Sequence, residues 1–175
     1  LLTPLRIAVS GSSQADAPLL ALAEAVGLAL AQAGAVVLCG GLGGVMEAVC
    51  RGARQAGGVT VGILPGDDAD AANTSVTLPI VTGIGEARNM VLINSAEAVI
   101  AIGGGWGTLS EIALARRVGL TVVGLHSWEP SGGVELVEAA ADPQAAVDRA
   151  LAAARQRRGS VGSAVYHISV SAPNL

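Results

Sequence analysis

Residues Ala98–Ala115 read AVIAIGGGWGTLSEIALA. An apolar run, Ala98–Ile102, meets three glycines, a tryptophan, a fourth glycine and a threonine. An apolar-periodic segment follows. This is the pattern of a strand, a glycine loop and a helix start. The first backbone N–H groups of a helix have no partner inside it, and the helix dipole favours an anion there. Glycines let a phosphate approach that backbone closely. Glu111 stands one turn into the helix, beside the anion site, which suggests chemistry on a phosphorylated ligand. The competing reading is structural: Thr108-Leu109-Ser110-Glu111 has the spacing of a capping box.

Two further loops share this arrangement. Cys39–Met46, CGGLGGVM, follows the apolar run Ala35–Leu38 and precedes the helix-like Val45–Ala56. Ser10-Gly11-Ser12-Ser13 follows Leu5–Val9. In an open parallel sheet the carboxyl ends of the strands share one edge, where ligands bind. The three loops are therefore expected to line one cleft.

Strands are expected at Leu5–Val9, Ala35–Leu38, Thr60–Leu64, Val76–Val81, Ala98–Ile102 and Thr121–Leu125. Helices are expected at Pro18–Ala33, Val45–Ala56, Glu86–Ala96, Thr108–Val118 and Pro143–Arg157. Strands alternating with helices imply right-handed crossovers and an α/β, Rossmann-like three-layer fold: a central parallel sheet with helices on both faces. Residues 1–158 read as one domain. Residues 159–175, with Gly, Ser and a few β-formers, read as a poorly ordered tail.

Composition narrows the function classes. The net charge of −4 and pI near 5.0 argue against a nucleic-acid surface. The chain has no lysine, its ten basic residues all being arginine. A Walker A loop and a pyridoxal Schiff base are thereby excluded. Gly11-Ser12-Ser13-Gln14 lacks G-x-G-x-x-G, and Cys39-Gly40 stands where a ribose-binding acid would sit, so an NAD-binding reading is disfavoured. Two cysteines, Cys39 and Cys50, cannot alone make a cysteine zinc site; both read as reduced core residues of a cytoplasmic protein. No signal peptide is visible. Val26–Met46 is long and apolar, but Gln32, its glycines and a change of period argue for helix, turn, strand and loop, so no membrane partner is expected. Asp67, Asp68 and Asp70 read as a solvated turn, and no metal site is expected. Arg155–Arg158 reads as a solvated helix end, Glu47 as a helix-dipole partner, and His126 as a loop histidine on the ligand edge.

GGLGGVMEA (Gly40–Ala48), ARN (Ala87–Asn89) and GGGWGTLSE (Gly103–Glu111) resemble the motifs of the Lonely Guy and molybdenum-cofactor-carrier superfamily, over roughly Leu5–Ala154. Lonely Guy enzymes carry P-G-G-x-G-T-x-x-E with an upstream arginine. They cleave the N-glycosidic bond of nucleoside 5′-monophosphates to a base and ribose 5-phosphate. By position, Arg88 matches the family's catalytic arginine and Glu111 its catalytic glutamate. Gly104, Gly105, Gly107 and Thr108 match the phosphate loop. Gly103 replaces the leading proline and Asn89 the usual lysine. Both departures look more like the carrier branch.

The resemblance implies binding of a small phosphorylated ligand, either an AMP-like nucleotide or molybdopterin, with no required cofactor. It leans towards a phosphoribohydrolase, with a non-catalytic pterin carrier or a nucleotide sensor as the alternatives. A carboxylate beneath the sugar would stabilise the developing positive charge. Arg88 would hold the 5′-phosphate or polarise the leaving base; its plain reading is a surface arginine near a helix start. The remaining expected ligand contacts are Gly11, Ser12, Ser13, Gly41, Gly43, Gly44, Met46, Asn89 and Trp106. Trp106 would stack on a base or pack at a subunit contact. The apolar, aromatic-poor composition and the related proteins imply a homodimer or higher multiple.

Overall fold

The structure is a computed structural model and describes residues 3–128 and 136–165. Seven parallel strands form one sheet in the order β4-β3-β2-β1-β5-β6-β7 among the described residues. They are β1 (Arg6–Gly11), β2 (Val36–Cys39), β3 (Thr60–Leu64), β4 (Leu78–Val81), β5 (Ala98–Ile102), β6 (Val122–Leu125) and β7 (Glu138–Ala139). Each lies within or beside an expected run except β7, whose two residues carry no periodic signal. The helices are α1 (Ala17–Gln32), α2 (Val45–Gln55), α3 (Arg88–Ser95), α4 (Trp106–Arg117) and α5 (Pro143–Val165).

Alternation along the strands explains the layers. Ile7, Val9, Val37, Cys39, Ile100 and Ile102 face α1, α2 and α5 in one core. Ala8, Leu38, Val99 and Ala101 face α3 and α4 in the other. The strands are buried on both faces, so they read as continuous apolar runs. Small residues compensate for the lack of aromatics. Gly27 of α1 and Gly52 of α2 bring the two helix backbones into contact: a Cβ at Gly27 would lie 2.8 Å from the carbonyl carbon of Val49.

The chain leaves β1 through α1 towards β2 and returns through α3 to β5 on the other side of β1. That reversal opens a crevice at the carboxyl ends of β1 and β5.

Several expected boundaries shift. The helix expected at Glu86–Ala96 is split into a 3₁₀ turn, Gly85–Ala87, and α3. The helix α4 begins at Trp106, not Thr108, because Gly105 takes the N-cap position in extended conformation. The closing helix α5 runs on to Val165, so residues 159–165 of the expected tail are helical; residues 166–175 lie outside the described residues.

Candidate functional site

A cleft of about 290 Å³ lies at the β1/β5 crevice. All three glycine loops reach it: Gly11, Ser12 and Ser13 from the first, Leu42 and Met46 from the second, and Gly105–Thr108 from the third. Glu86, Arg88, Asn89 and Glu111 complete its wall. Gly41, Gly43, Gly44 and Gly104 lie outside this lining. Gly44 serves the backbone instead. Its positive φ of 66° lets α2 begin against the first loop, where Val45 N–H donates to the Ser12 carbonyl at 3.0 Å. Gly104 faces Trp128.

Arg88, Asn89, Thr108 and Glu111 are all buried, at 6%, 4%, 3% and 7% exposure. Four polar side chains drawn out of water at one place need partners. The Ser10 hydroxyl, at the end of β1, donates to Glu111 Oε2. Arg88 Nη1 lies 3.7 Å from Glu111 Oε1. Burial pushes the Glu111 carboxyl up from its ordinary range. The Ser10 hydrogen bond and the Arg88 charge pull it back, and the Glu86 charge adds to the rise.

Beyond these contacts, capacity is left over. Arg88 Nε and Nη1, Asn89 Oδ1 and Thr108 Oγ1 are buried without a hydrogen-bond partner among the described residues. The Asn89 amide nitrogen reaches Glu86 Oε2 only at 3.4 Å. Leu109 N–H closes the first intrahelical bond of α4, to the Gly105 carbonyl. The three N–H groups before it have no partner within the helix.

The capping-box reading of Glu111 is overturned. With Gly105 as N-cap, Thr108 is the third helical residue, and α4 has no side-chain cap. Glu111 bonds Ser10, not a backbone N–H. The surface reading of Arg88 fails with it, since Arg88 is buried at the first turn of α3. A cation at a helix start is disfavoured by the dipole, and here Glu111 compensates it.

Ser10 and Gly40 stand in loops expected at the cleft, but the sequence assigns neither of them a contact of its own. Gly40 packs directly on Arg88: a Cβ there would lie 2.7 Å from Nη2 and 2.8 Å from Cζ. The doublet Gly40-Gly41 at a strand end was the available signal. The aromatic Trp106 is 82% exposed at the lip of the cleft, its ring 5.8 Å from that of Trp128.

The remaining expected residues divide. Glu47 lies in the first turn of α2, outside the cleft lining. Asp68 caps a 3₁₀ turn through Asp70 N–H, and no cluster of metal-binding side chains occurs among the described residues. The cysteines are free and buried as expected, 3.4 Å apart, with Gly41 N–H on Cys39 Sγ. Their mutual hydrogen bond, with burial, raises the Cys39 thiol. His126 is exposed, with a φ of 47°. Arg158 is not a solvated helix end. It grips buried Glu97 through Nε and Nη2 at 2.7 and 2.8 Å, far from the cleft, while Arg6 N–H donates to the same carboxylate at 2.8 Å. No described helix is long and apolar enough to cross a membrane.

The molybdenum cofactor binding protein of Rippkaea orientalis shares the fold at a TM-score of 0.81 and 34% identity, covering 87% of this chain and 98% of its own. The molybdenum cofactor carrier protein of Chlamydomonas reinhardtii aligns at a TM-score of 0.76 and 34% identity, covering 90% of this chain and 99% of its own. An uncharacterized protein of Archaeoglobus fulgidus is 42% identical over 121 residues, 69% of this chain and 80% of that protein. The superfamily resemblance carried by the glycine loops holds in these relatives. The SLOG cluster4 family pattern matches residues 4–156, nearly all of the described fold, and the chain belongs to that family.

Proposed function

We propose that this protein binds and holds a phosphorylated heterocycle in the β1/β5 cleft, either a molybdopterin-type pterin or a nucleoside 5′-monophosphate. The observation that carries this reading is the buried Arg88 guanidinium, whose Nε and Nη1 have no hydrogen-bond partner among the described residues. A desolvated cation with unused donors beside an open helix N-terminus favours a dianionic phosphate. The similarity to proteins named as binding or carrying the molybdenum cofactor supports the pterin. Within the site, Gly105, Gly107 and Thr108 place the backbone donors, Ser12 and Ser13 offer hydroxyls, and Asn89 and Met46 border the ring.

A second reading is hydrolysis of the N-glycosidic bond, with Arg88 and Glu111 as the catalytic pair. The Ser10–Glu111–Arg88 cluster favours it, since an ionised Glu111 would stabilise positive charge developing on a ribose. Holding is put first because the similar proteins of stated role are named as binding or carrying the molybdenum cofactor. A homodimer or higher multiple is part of the proposal. Leu78, Ile80, Val81 and Ile84 are large apolar side chains left exposed along one edge.

The test is to incubate the pure protein with AMP and, separately, with molybdenum cofactor released from a molybdoenzyme. Retention of molybdenum and pterin through gel filtration, with no adenine released from AMP, is expected. Release of adenine at a steady rate would establish the hydrolase instead. Neither retention of cofactor nor binding of AMP would overturn both.

A further inference from the structure

One wall of the cleft comes from the 3₁₀ turn Gly85–Ala87 and the first residues of α3. Two contacts fix its place over the sheet. Gly85 N–H donates to the Pro65 carbonyl at 2.9 Å, just past the end of β3. Arg88 packs on Gly40, just past the end of β2. The wall therefore stands over β2 and β3, whereas α4 starts past β5, on the other side of β1. Two strand spacings, roughly 10 Å, separate β2 from β5. Residues 129–135 follow β6, which lies beyond β5 from this wall.

This wall offers acceptors where the start of α4 offers donors. Glu86 is exposed in the cleft. Among the described residues its carboxylate engages only the Asn89 amide, whose Nδ2 donates to Oε2 at 3.4 Å. An amide meets a carboxylate by its amino end, so the oxygen is the end left over. Asn89 is buried, and its Oδ1 has no hydrogen-bond partner among the described residues. A carboxylate in a phosphate cleft works against the phosphate, because like charges repel. It also adds to the rise of the Glu111 carboxyl. The arrangement suits a ligand with phosphate at one end and hydrogen-bond donors at the other.

A 2-amino-4-oxopyrimidine ring, which guanine and the pterins share, has such a donor edge. Its ring N–H and its amino group point the same way and match the two oxygens of one carboxylate. Adenine lacks the pair: the ring nitrogens beside its amino group are acceptors, which a carboxylate repels. We propose that Glu86 and Asn89 select the heterocycle by this edge. Glu86 accepts from the ring N–H and the amino group, Asn89 Oδ1 accepts the second amino hydrogen, and the phosphate lies at the start of α4. The ligand class is then a phosphorylated 2-amino-4-oxopyrimidine, and adenine nucleotides are poor ligands. This assignment rests on the phosphate-binding reading of the cleft.

The probes are GMP, neopterin monophosphate and AMP, titrated calorimetrically into the parent, Glu86→Gln and Asp148→Asn. In the parent, GMP or neopterin monophosphate is expected to bind about tenfold more tightly than AMP, as one charge-assisted bond at an exposed carboxylate allows. GMP as the tighter of the two marks a nucleotide ligand, and neopterin monophosphate a pterin. Glu86→Gln removes an acceptor and a repelling charge together. The affinity of the tighter probe should therefore fall about tenfold while that of AMP does not fall. Asp148, an exposed acid of α5 outside the cleft lining, is the control for net charge, and Asp148→Asn should keep the parent's ratios.

Equal affinity of the three probes in the parent, or AMP as the tightest, would overturn the selection by Glu86 and leave the phosphate site standing. So would a Glu86→Gln protein in which all three affinities move together, as they would for a mere surface charge. Binding of none of the probes would overturn it as well, and molybdenum cofactor retention would then decide the first reading by itself.

Discussion

Gly40→Ala separates the fold from the site at a single carbon. The added Cβ would lie 2.7 Å from Arg88 Nη2 and 2.8 Å from Cζ. Real Cβ contacts essentially never fall under 3.0 Å, so the guanidinium must retreat. What yields is the tip of a flexible side chain, since no backbone atom is among the three nearest contacts. The fold should therefore survive at about 1 kcal/mol, the low end of overpacking costs. The site should not. Arg88 is 6% exposed and 3.7 Å from Glu111, so it has room only towards the cleft or away from its partner. Either move misplaces the donors that the proposed phosphate site uses. Losing one charge-assisted hydrogen bond costs roughly 1.5–3 kcal/mol, or about 10- to 150-fold in affinity. Calorimetric titration with AMP, beside a thermal melt, measures both effects. Gly66→Ala is the control, because nothing lies within 4 Å of a Cβ at Gly66. A folded Gly40→Ala protein that binds AMP within twofold of the parent would refute the placement of Arg88 in the binding site.

The Glu111 carboxyl is raised by burial, so the folded chain takes its proton at a higher pH than the unfolded chain. Parent stability relative to Glu111→Gln should therefore fall as pH rises from the ordinary carboxylate value through the raised one, then level off; urea titrations from pH 4 to 7 showing the opposite slope would contradict this. Glu97→Ala should cost about 2–3 kcal/mol, less than the roughly 3–5 kcal/mol of a fully buried pair because the Arg158 side chain is 36% exposed; a melt unchanged from the parent would show that the contact is not structural. Gly27→Ala should cost about 3 kcal/mol or more, the upper end of overpacking, since the added carbon meets the α2 backbone, and a denaturant midpoint within error of the parent would contradict the helix contact. Sedimentation equilibrium at micromolar concentration should show a dimer or larger assembly, and a lone monomer would count against the exposed edge as a subunit contact.

What could be read from the sequence was what local pattern encodes. Apolar runs followed by glycine loops recur after β1, β2 and β5, and each run became a strand of the parallel sheet. The period of two is hidden because both faces are covered, yet the runs are short and bounded by glycine, which is enough to separate them from the helices. The two-residue strand β7 has no such signal. Its pairing, Val123 with Glu138 and Gly124 with Ala139, is imposed by its neighbour. The Glu97–Arg158 tie joins residues 61 apart, and no periodicity links them.

Glu111 shows where local reading and tertiary structure part. Thr108-Leu109-Ser110-Glu111 fits a capping box by spacing alone, and the same four residues fit a binding loop. The decision rests on where the helix begins, which the three preceding glycines leave open. Gly105 adopts φ −122° and ψ −174° and becomes the N-cap, three residues before the first residue expected in the helix. That shift carries Thr108 inside the helix and turns its hydroxyl into the wall of the cleft. Glu111 is then captured by Ser10, 101 residues earlier in the chain, and faced by Arg88 from a third element. A cap is satisfied within its own turn of helix. A carboxylate held by two distant elements, in a cleft with polar atoms still unpaired, is what the proposed binding site calls for. The glycines that make the helix start unreadable are the same residues that leave its backbone open to a ligand.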